Sequence, residues 1–384
     1  MKQAKVYLDY QATTPVDNLV YEAMLPYFKD TFGNPSSRFH SYGWKAQEAV
    51  DNARTSIARI LNAKSDDIVF TSGSTESNNT AIRGVAEKLR TRGDHIITCV
   101  TEHPSVLSTC TYLREQGYRI TYLPVNRDGL IDIEQLYNSI TDSTILISLM
   151  TVNNEIGVIH PVKEIGKIAK ETGVPFHTDA TQAVGKMKLD VQELGVDLLS
   201  LSGHKIYGPK GVGLLYIHSD EPNVHIEPLM RGGGQEKNMR SGTLNVPGII
   251  GLARAIELCE ERYPEEMVAI EKLRNILLNG IRETIGDITV NGSLEQRIPN
   301  NLNISFRGVE AQALLMMTDD IALSLGSACH GKTIEPSHVL RALHISDEDM
   351  YSAVRFGLGR FTVEEDIGYT IQRLSESVST LRSH

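Results

Sequence analysis

Up to about residue 250, short apolar runs rich in β-branched residues alternate with longer segments whose apolar positions recur at helical spacing. The short runs are "DDIVFTSG", "HIITCV", "RITYLPV", "TILISLM", "VPFHTDA" and "VDLLSLSG". Two of the longer segments each have an apolar face. The first consists of Ala46, Ala49, Val50, Ala53, Ile57 and Ile60, and the second of Ile82, Val85, Ala86 and Leu89. Strands alternating with amphipathic helices predict an α/β fold with a mostly parallel sheet covered on both faces.

Beyond residue 250 the pattern changes to a long helical region, followed by "NNLNISF", "IALSLGSACHG" and "YSAVRFGLG". A last segment aligns Val363, Ile367, Ile371, Leu374 and Val378, which predicts a final helix. This mixture predicts a second, smaller α+β domain. The chain length of 384 residues agrees with two domains.

Composition narrows the class of protein. No run of about 18 apolar residues is present, and the N-terminal segment "MKQAKVYLDYQATTPVD" lacks the apolar core of a signal peptide. We therefore expect a cytoplasmic protein that does not enter a membrane. The formal net charge is −10 and no basic stripe stands out, so we expect no direct binding to nucleic acid.

The four cysteines have different surroundings in the sequence. Cys99 lies in a predicted strand, and Cys110 and Cys259 lie in predicted helices, as expected of buried structural thiols. Cys329 instead lies among small residues, in "GSACHG". No C-x-x-C pair occurs, so neither a zinc site nor a redox dithiol is indicated.

Polar residues follow several predicted strands, and ligands of open parallel sheets bind beyond the carboxyl ends of the strands. Ser74 and Thr75 begin a helix after "VFTSG", where free backbone N–H groups attract an anion such as phosphate. An ordinary N-cap with a tight turn is the alternative. His103 follows "HIITCV", and a loop histidine without a task is the alternative there.

The next strand ends carry amides and acids. Asn153, Asn154 and Glu155 follow "TILISLM" and are alternatively turn formers. Asp179 ends the run "VPFHTD", and Gln182 follows it. An acid at a buried strand end needs a partner, either the N-terminus of a helix or a protonated ring nitrogen.

Ser202, His204 and Lys205 follow "VDLLSL". A desolvated lysine can lose its proton and react with an aldehyde, although most lysines are solvated surface residues. Pyridoxal 5'-phosphate has groups that match these residues: a phosphate for the helix start, a ring nitrogen for the acid, an aldehyde for the lysine and an aromatic face for the histidine. A nucleotide site is not indicated, because neither G-x-G-x-x-G after the first strand nor a Walker loop occurs.

Long motifs in a fixed order extend over nearly the whole chain. They are "YLDYQATTPVD", "FGNPSSRFHSYG", "TSGSTESNN", "TEHPSV", "NNEIG", "HTDATQAVGK", "SGHKIYGPKGVG", "GGGQEKNMRSGTLNVP", "GSAC" and "VRFGLGRF". In these motifs the sequence resembles the cysteine desulfurases of the NifS/IscS group, in the class V branch of the fold-type-I pyridoxal phosphate enzymes. The resemblance implies a large cofactor-binding domain, residues 14–250, with a seven-stranded sheet. Residues 1–13 and 251–384 would form the small domain, which carries a catalytic cysteine loop at 324–337.

The resemblance also implies a role for each matching residue. Lys205 would bond covalently to the cofactor, Asp179 would pair with its pyridine nitrogen, and His103 would stack on its ring and assist proton transfer. The phosphate would be held by Ser74, Thr75, Ser202 and His204, and by Thr243 of the neighbouring subunit of a homodimer. Asn154 and Gln182 would contact the region of the ring hydroxyl, with Asn154 also near the substrate, and Arg355 would bind the substrate carboxylate.

The implied reaction converts L-cysteine to L-alanine and leaves the sulfur on Cys329 as a persulfide, which then passes to an acceptor protein. Iron–sulfur cluster assembly is the expected destination, with thiolation of transfer RNA and phosphorothioation of DNA as alternatives. A selenocysteine lyase or an aminotransferase on the same fold is the alternative enzyme, and a non-catalytic scaffold would lack Lys205, Asp179 or Cys329. His330 departs from the small hydroxyl residue that often follows the cysteine in this group, and it is a second candidate base.

Overall fold

The structure is a computed structural model that describes residues 5–222, 224–325 and 337–383. The predictions for Cys329 and His330 concern residues outside these ranges, as does most of the predicted loop at 324–337.

The strands form three sheets within the described residues. They are β1 (Val6–Tyr7), β2 (Ile68–Thr71), β3 (His95–Cys99), β4 (Arg119–Leu123), β5 (Thr144–Ser148), β6 (Phe176–Asp179), β7 (Leu198–Ser202), β8 (Gly213–Ile217), β9 (Ile288–Val290), β10 (Asn301–Phe306), β11 (Ile321–Ala322) and β12 (Ala353–Gly357). The largest sheet has seven strands in the order β2-β8-β7-β6-β5-β3-β4, and β12-β10-β9 and β1-β11 form the other two. The predicted α/β fold is confirmed.

The helices cover the sheets. They are α1 (Asn18–Met24), α2 (Pro26–Lys29), α3 (Ser41–Leu61), α4 (Ser74–Lys88), α5 (Pro104–Glu115), α6 (Ile133–Ser139), α7 (Val162–Thr172), α8 (Val191–Leu194), α9 (Val246–Arg262), α10 (Glu265–Thr284), α11 (Ala311–Met317), α12 (His338–Ala342), α13 (Asp347–Tyr351) and α14 (Glu364–Arg382). Short 3₁₀ helices lie at Ser65–Asp67, Gly203–Lys205 and Glu236–Asn238. No helix in the described ranges is both long enough and apolar enough to span a membrane.

The direction of the strands explains where polar residues gather. Strands β3 to β7 pair in parallel, whereas β8 is antiparallel to both β7 and β2. Strand β2 therefore runs in the same direction as β7. The carboxyl ends of all six parallel strands lie on one edge of the sheet, so the residues that follow them share that edge. The apolar pattern missed β8, the strand that closes the sheet against β2.

The large sheet is buried on both faces, as predicted. Within β3, Ile97 belongs to the hydrophobic core that contains residues of α3 and α9, whereas Ile96 belongs to the core under α4 and α5. Successive residues of a strand point to opposite faces, so burial of both explains why these strands show continuous apolar runs.

A third core packs around the small sheets and includes Leu8, Ile304, Phe356 and Leu374. The predicted boundary at residue 250 lies inside α9, whose buried residues belong to the core of the large sheet. The division into two domains stays a prediction. The last helix was predicted to begin its apolar face at Val363, and this was wrong: Val363 precedes α14 and is exposed, because the buried face begins at Ile367.

Candidate active site

Lys205 lies in the 3₁₀ turn that follows β7, at the carboxyl edge of the large sheet. Its Nζ atom donates to the backbone carbonyls of Gln11 at 2.6 Å and Ala12 at 2.7 Å. The pKa of Lys205 is lowered to about 8, mainly by burial and also by the nearby Arg355 guanidinium, while Asp9 and Asp179 act in the opposite direction. An amine with a pKa this close to neutrality is a competent nucleophile for an aldehyde and a competent base.

Asp179 is the last residue of β6 and is buried. Its carboxylate accepts hydrogen bonds from Asn78 Nδ2 at 2.7 Å and from the Thr181 backbone N–H at 3.0 Å. Among the described residues no basic side chain forms an ion pair with it, although burying an unpaired charge is costly. This buried acid fits a ligand that brings its own positive charge, as a protonated ring nitrogen does.

His103 is the N-cap of α5, so the helix start fixes the orientation of its ring. Its Nδ1 atom accepts from the Ser105 backbone N–H at 3.1 Å and lies 2.8 Å from Ser105 Oγ. Neutral His103 therefore carries its proton on Nε2. Burial lowers the pKa of His103, with the positive charge of Lys205 acting in the same direction and Asp179 opposing it.

A chain of hydrogen bonds joins His103 to Asp179. Asn78 Nδ2 lies 2.7 Å from Asp179 Oδ2 and 2.9 Å from Ser105 Oγ, and Ser105 contacts His103. Asn78 and Ser105 lie in the motifs "TSGSTESNN" and "TEHPSV", yet the sequence analysis did not select them. The available signal was helical spacing, because Asn78 lies one turn after Ser74 on α4.

The start of α4 is shaped for an anion. Gly73 is its N-cap, with φ of +147° and no side-chain cap, so the first-turn N–H groups stay available. A Cβ atom on Gly213 would lie 2.7 Å from Gly73 Cα, and one on Gly73 would lie 3.4 Å from Ser202 Oγ. These glycines allow β8 and Ser202 to approach the helix start closely, which makes a cradle beside Ser74 and Thr75.

His204 lies in the 3₁₀ turn that follows Ser202, and its Nδ1 atom is 3.1 Å from Thr13 Oγ1. The pKa of His204 is lowered to about 4, mainly by burial and also by the charges of Lys205 and Lys210. The ring is therefore neutral at physiological pH and can donate or accept one hydrogen bond on each nitrogen. Thr243 is not brought to the cradle: it is exposed on the segment before α9.

Arg355 comes from β12 of the three-stranded sheet and is buried. Its Nη1 atom donates to the Asn154 carbonyl at 3.0 Å and its Nη2 atom to Asp9 Oδ1 at 2.8 Å. Its Nε atom is buried without a partner in the described residues. This guanidinium, fixed on two sides with an unused N–H group, fits the carboxylate of an amino acid.

Of the amide residues near β5 and β6, Asn153 stabilises a turn, whereas Asn154 contacts Arg355 and Gln182 shares an acceptor with Lys205. Asn153 Oδ1 accepts from the backbone N–H groups of Glu155 at 2.9 Å and Ile156 at 3.0 Å, so Asn153 is the turn former that the alternative interpretation predicted. Asn154 contributes its carbonyl to Arg355. Gln182 Nε2 donates to the Gln11 carbonyl at 3.0 Å, which is also an acceptor for Lys205.

The three described cysteines are buried. Burial raises the thiol pKa of Cys99 and Cys110 to about 12 and that of Cys259 to about 11. Each is therefore a poor nucleophile at neutral pH, as the sequence analysis expected of structural thiols.

The chain is similar in sequence and in structure to known proteins. The family model of aminotransferase class-V matches residues 6–369. The chain is 51% identical to the cysteine desulfurase IscS of Ehrlichia chaffeensis over 98% of this chain and 92% of that protein. Its structure is similar to that of a NifS-like protein, with a TM-score of 0.91 and 36% identity over 98% of this chain and 100% of the other. It is also similar to a structure described as SspA in complex with cysteine, with a TM-score of 0.82 and 39% identity over 93% of this chain and 100% of the other.

Proposed function

This chain belongs to the class-V aminotransferase family, and from that premise we propose that it is a cysteine desulfurase that requires pyridoxal 5'-phosphate. The observation that carries the proposal is the presence of a buried acid and a half-buried lysine at the carboxyl edge of the same sheet. Asp179 has no basic partner among the described residues, and Lys205 has its amine bonded only to backbone carbonyls. A ligand with a basic ring nitrogen and an aldehyde complements both.

The residues present fit the cofactor as a whole. Lys205 would hold its aldehyde carbon, Asp179 its ring nitrogen and His103 its ring face. The cradle of Gly73, Ser74 and Ser202, with Thr75 and His204 beside it, would hold the phosphate. When bound, pyridoxal phosphate supplies an electron sink for the charge that develops on the substrate Cα atom.

The protein side chains perform the remaining tasks. Arg355 would bind the substrate carboxylate and so orient the Cα–H bond, and Lys205 would move the α-proton. The Cys329 thiolate would attack the substrate sulfur, so that an S–S bond forms while the C–S bond breaks and its electron pair stays on carbon. Protonation of that carbon, with His103 as candidate acid, yields alanine and leaves a persulfide on Cys329.

Turnover of L-cysteine tests this proposal directly. We expect alanine and, in the presence of a thiol reductant, sulfide in equal amounts. Replacing Lys205 by alanine should abolish both products, and Cys329→Ala should abolish desulfuration while Cys110→Ala, a substitution of a buried thiol, should retain it. Full activity of Cys329→Ala under reducing conditions would contradict the persulfide step.

The products of turnover distinguish a cysteine desulfurase from the two alternative enzymes. An aminotransferase would not need Cys329 and would convert the cofactor to its amine form. A selenocysteine lyase would release selenium from selenocysteine and leave L-cysteine unchanged. Mass spectrometry after turnover with L-cysteine should show the mass of one sulfur added to the peptide that contains Cys329.

We further propose that the active form is a homodimer. Large aromatic side chains between residues 21 and 44 are exposed, and Phe39 has 95% of its surface accessible. An exposed apolar patch of this kind is typical of an interface. Thr243 is also exposed, which agrees with a task at the active site of a second copy.

Subunit mixing tests the dimer. If Thr243 acts in the site of the partner subunit, each site consists of Lys205 from one subunit and Thr243 from the other. A dimer of only Lys205→Ala subunits, or of only Thr243→Ala subunits, then has no intact site. A mixed dimer of the two variants contains one intact site, so mixing should restore activity. If mixing restores nothing while sedimentation shows a dimer, Thr243 does not act across the interface.

The sulfur acceptor is proposed to be a protein of iron–sulfur cluster assembly, in keeping with the IscS relatives. Transfer RNA thiolation and DNA phosphorothioation are the other destinations. Loading the protein with radioactive L-cysteine and identifying which co-purified protein receives the label would decide among them. The charge of −10 favours a protein acceptor over direct contact with nucleic acid.

A further inference from the structure

A second buried lysine lies behind the candidate site and has no part in the functions considered above. Lys186 follows β6 in the motif "HTDATQAVGK", and only 7% of its surface is accessible. Its Nζ atom donates to Gln182 Oε1 at 3.3 Å, and no carboxylate of the described residues forms an ion pair with it. Lysine is almost never buried unless it is paired with an acid, so this position calls for a reason beyond packing.

The contact with Lys186 decides how the Gln182 amide is oriented. The amine of Lys186 donates hydrogen bonds in both its protonated and its neutral form, so the amide oxygen is the atom of Gln182 that suits this contact, and it accepts from Nζ at 3.3 Å. The amide nitrogen then faces the opposite way, where one N–H group donates to the Gln11 carbonyl at 3.0 Å. The other N–H group stays free to donate. That same Gln11 carbonyl accepts from Lys205 Nζ at 2.6 Å.

The surroundings of Lys186 leave little free space. It lines a cavity of about 10 Å³ together with Lys205, Cys259, Glu266 and Asn300, a volume that accommodates one water molecule. Asn300 Oδ1 is buried and has no hydrogen-bond partner within the described ranges. The pKa of Lys186 is lowered to about 7, mainly by burial and also by the charge of Lys205, with Cys259 acting in the opposite direction.

We propose that Lys186 is a positioning residue that fixes the side-chain amide of Gln182 as a hydrogen-bond donor toward the ring oxygen of the cofactor. This inference rests on the proposed use of pyridoxal phosphate. A donor at that oxygen stabilises its negative charge, and the shared Gln11 carbonyl links the same amide to the position of the Lys205 amine.

Substitution of Lys186 by methionine, which keeps the length of the side chain, tests the proposal. Without Lys186 the amide is held by the Gln11 carbonyl alone, and we expect the cofactor affinity to fall about fivefold to tenfold, the value of one hydrogen bond. The pH midpoint of the visible absorbance of the bound cofactor should rise, because a ring oxygen without its donor holds a proton more tightly. Lys186→Gln preserves a polar group and should change both quantities in the same direction.

Two controls make the test specific. Lys188→Met, at an exposed lysine nearby, should change neither quantity. In a Gln182→Leu background, Lys186→Met should have no further effect, because there is no amide left to orient. The proposal is overturned if Lys186→Met and Lys186→Gln both keep the wild-type affinity and midpoint, or if the effect persists undiminished in the Gln182→Leu background. A wild-type protein that binds no pyridoxal phosphate would overturn the proposed function itself, and this inference with it.

Discussion

Replacing Asn78 by aspartate would place a second carboxyl group beside Asp179 with almost no change in shape. Asn78 Nδ2 is 2.7 Å from Asp179 Oδ2, and both side chains are buried. The substitution turns a hydrogen-bond donor into an acceptor and, on ionisation, into a like charge. The perturbation is therefore electrostatic and confined to the one acid that we propose as partner of the cofactor ring nitrogen.

The magnitude follows from the geometry. Two unit charges at that separation repel by about 6 kcal/mol at an effective dielectric constant of about 20, and by about 4 kcal/mol if they relax to about 4 Å. The smaller value equals about 3 pH units, which moves the ionisation of the second carboxyl from about pH 4 to about pH 7. At neutral pH, much of the protein therefore carries one proton on the pair formed by Asp179 and the new aspartate. That proton competes with the ring nitrogen of the cofactor for the negative charge of the pair.

The assay is the pH dependence of kcat for alanine formation. At pH 7 we expect Asn78→Asp to lower kcat about tenfold or more and the loss to diminish toward pH 9, as the second proton dissociates. Asn78→Ala removes the donor without adding charge, so it should show a smaller loss without this recovery. Asn79→Asp is the matched control, because Asn79 is the next residue of α4 and its amide donates to the Thr75 carbonyl, away from Asp179. An Asn78→Asp protein with the pH profile of the wild type would refute the reasoning.

Two predictions concern stability, measured by urea unfolding. Arg54 and Glu236 form a bidentate ion pair with contacts of 2.9 and 2.6 Å, and the Glu236 side chain is only 1% exposed. Arg54→Met should therefore cost about 3–5 kcal/mol. Arg119→Met, which breaks an exposed pair, should cost less than about 1 kcal/mol; equal losses would contradict the role of burial. Glu155, which accepts a hydrogen bond from Ser337, has its pKa raised by burial to about 7, so its proton is held more tightly in the folded state and stability falls as pH rises through 7. Glu155→Gln should remove about 3 kcal/mol of that loss between pH 5 and 8, and an unchanged slope would show that Glu155 does not cause it.

The active-site candidates that follow strands were predictable from the sequence. Strand periodicity located the end of β6 and β7, and therefore Asp179 and Lys205, because every parallel strand contributes its carboxyl end to the same edge. The pattern of apolar residues can be recognised within a few positions of the chain, and a continuous apolar run indicates a strand that is buried on both faces of the sheet. It was less reliable at helix starts, as the exposed Val363 shows, because a helix end depends on capping and on what packs there.

Other parts depended on contacts between distant segments. Gln11 contributes a backbone carbonyl to Lys205, and no side-chain pattern reports a carbonyl. Whether Asn78 or its neighbour Asn79 faces Asp179 depends on how α4 is rotated against the sheet, and this rotation is set by packing.

The sequence alone determined the class of fold, and it predicted the edge of the sheet where polar residues gather and the candidate reactive groups. These depend on periodicity and on motifs that are read along the chain. Only the tertiary structure decided that Arg355 of the small sheet is held by Asp9 against the Asn154 carbonyl, and that the buried amine of Lys186 sets the orientation of Gln182. Such contacts join residues far apart in the sequence or choose between two orientations of one side chain. They are fixed by the packing of one element on another, which no local pattern encodes.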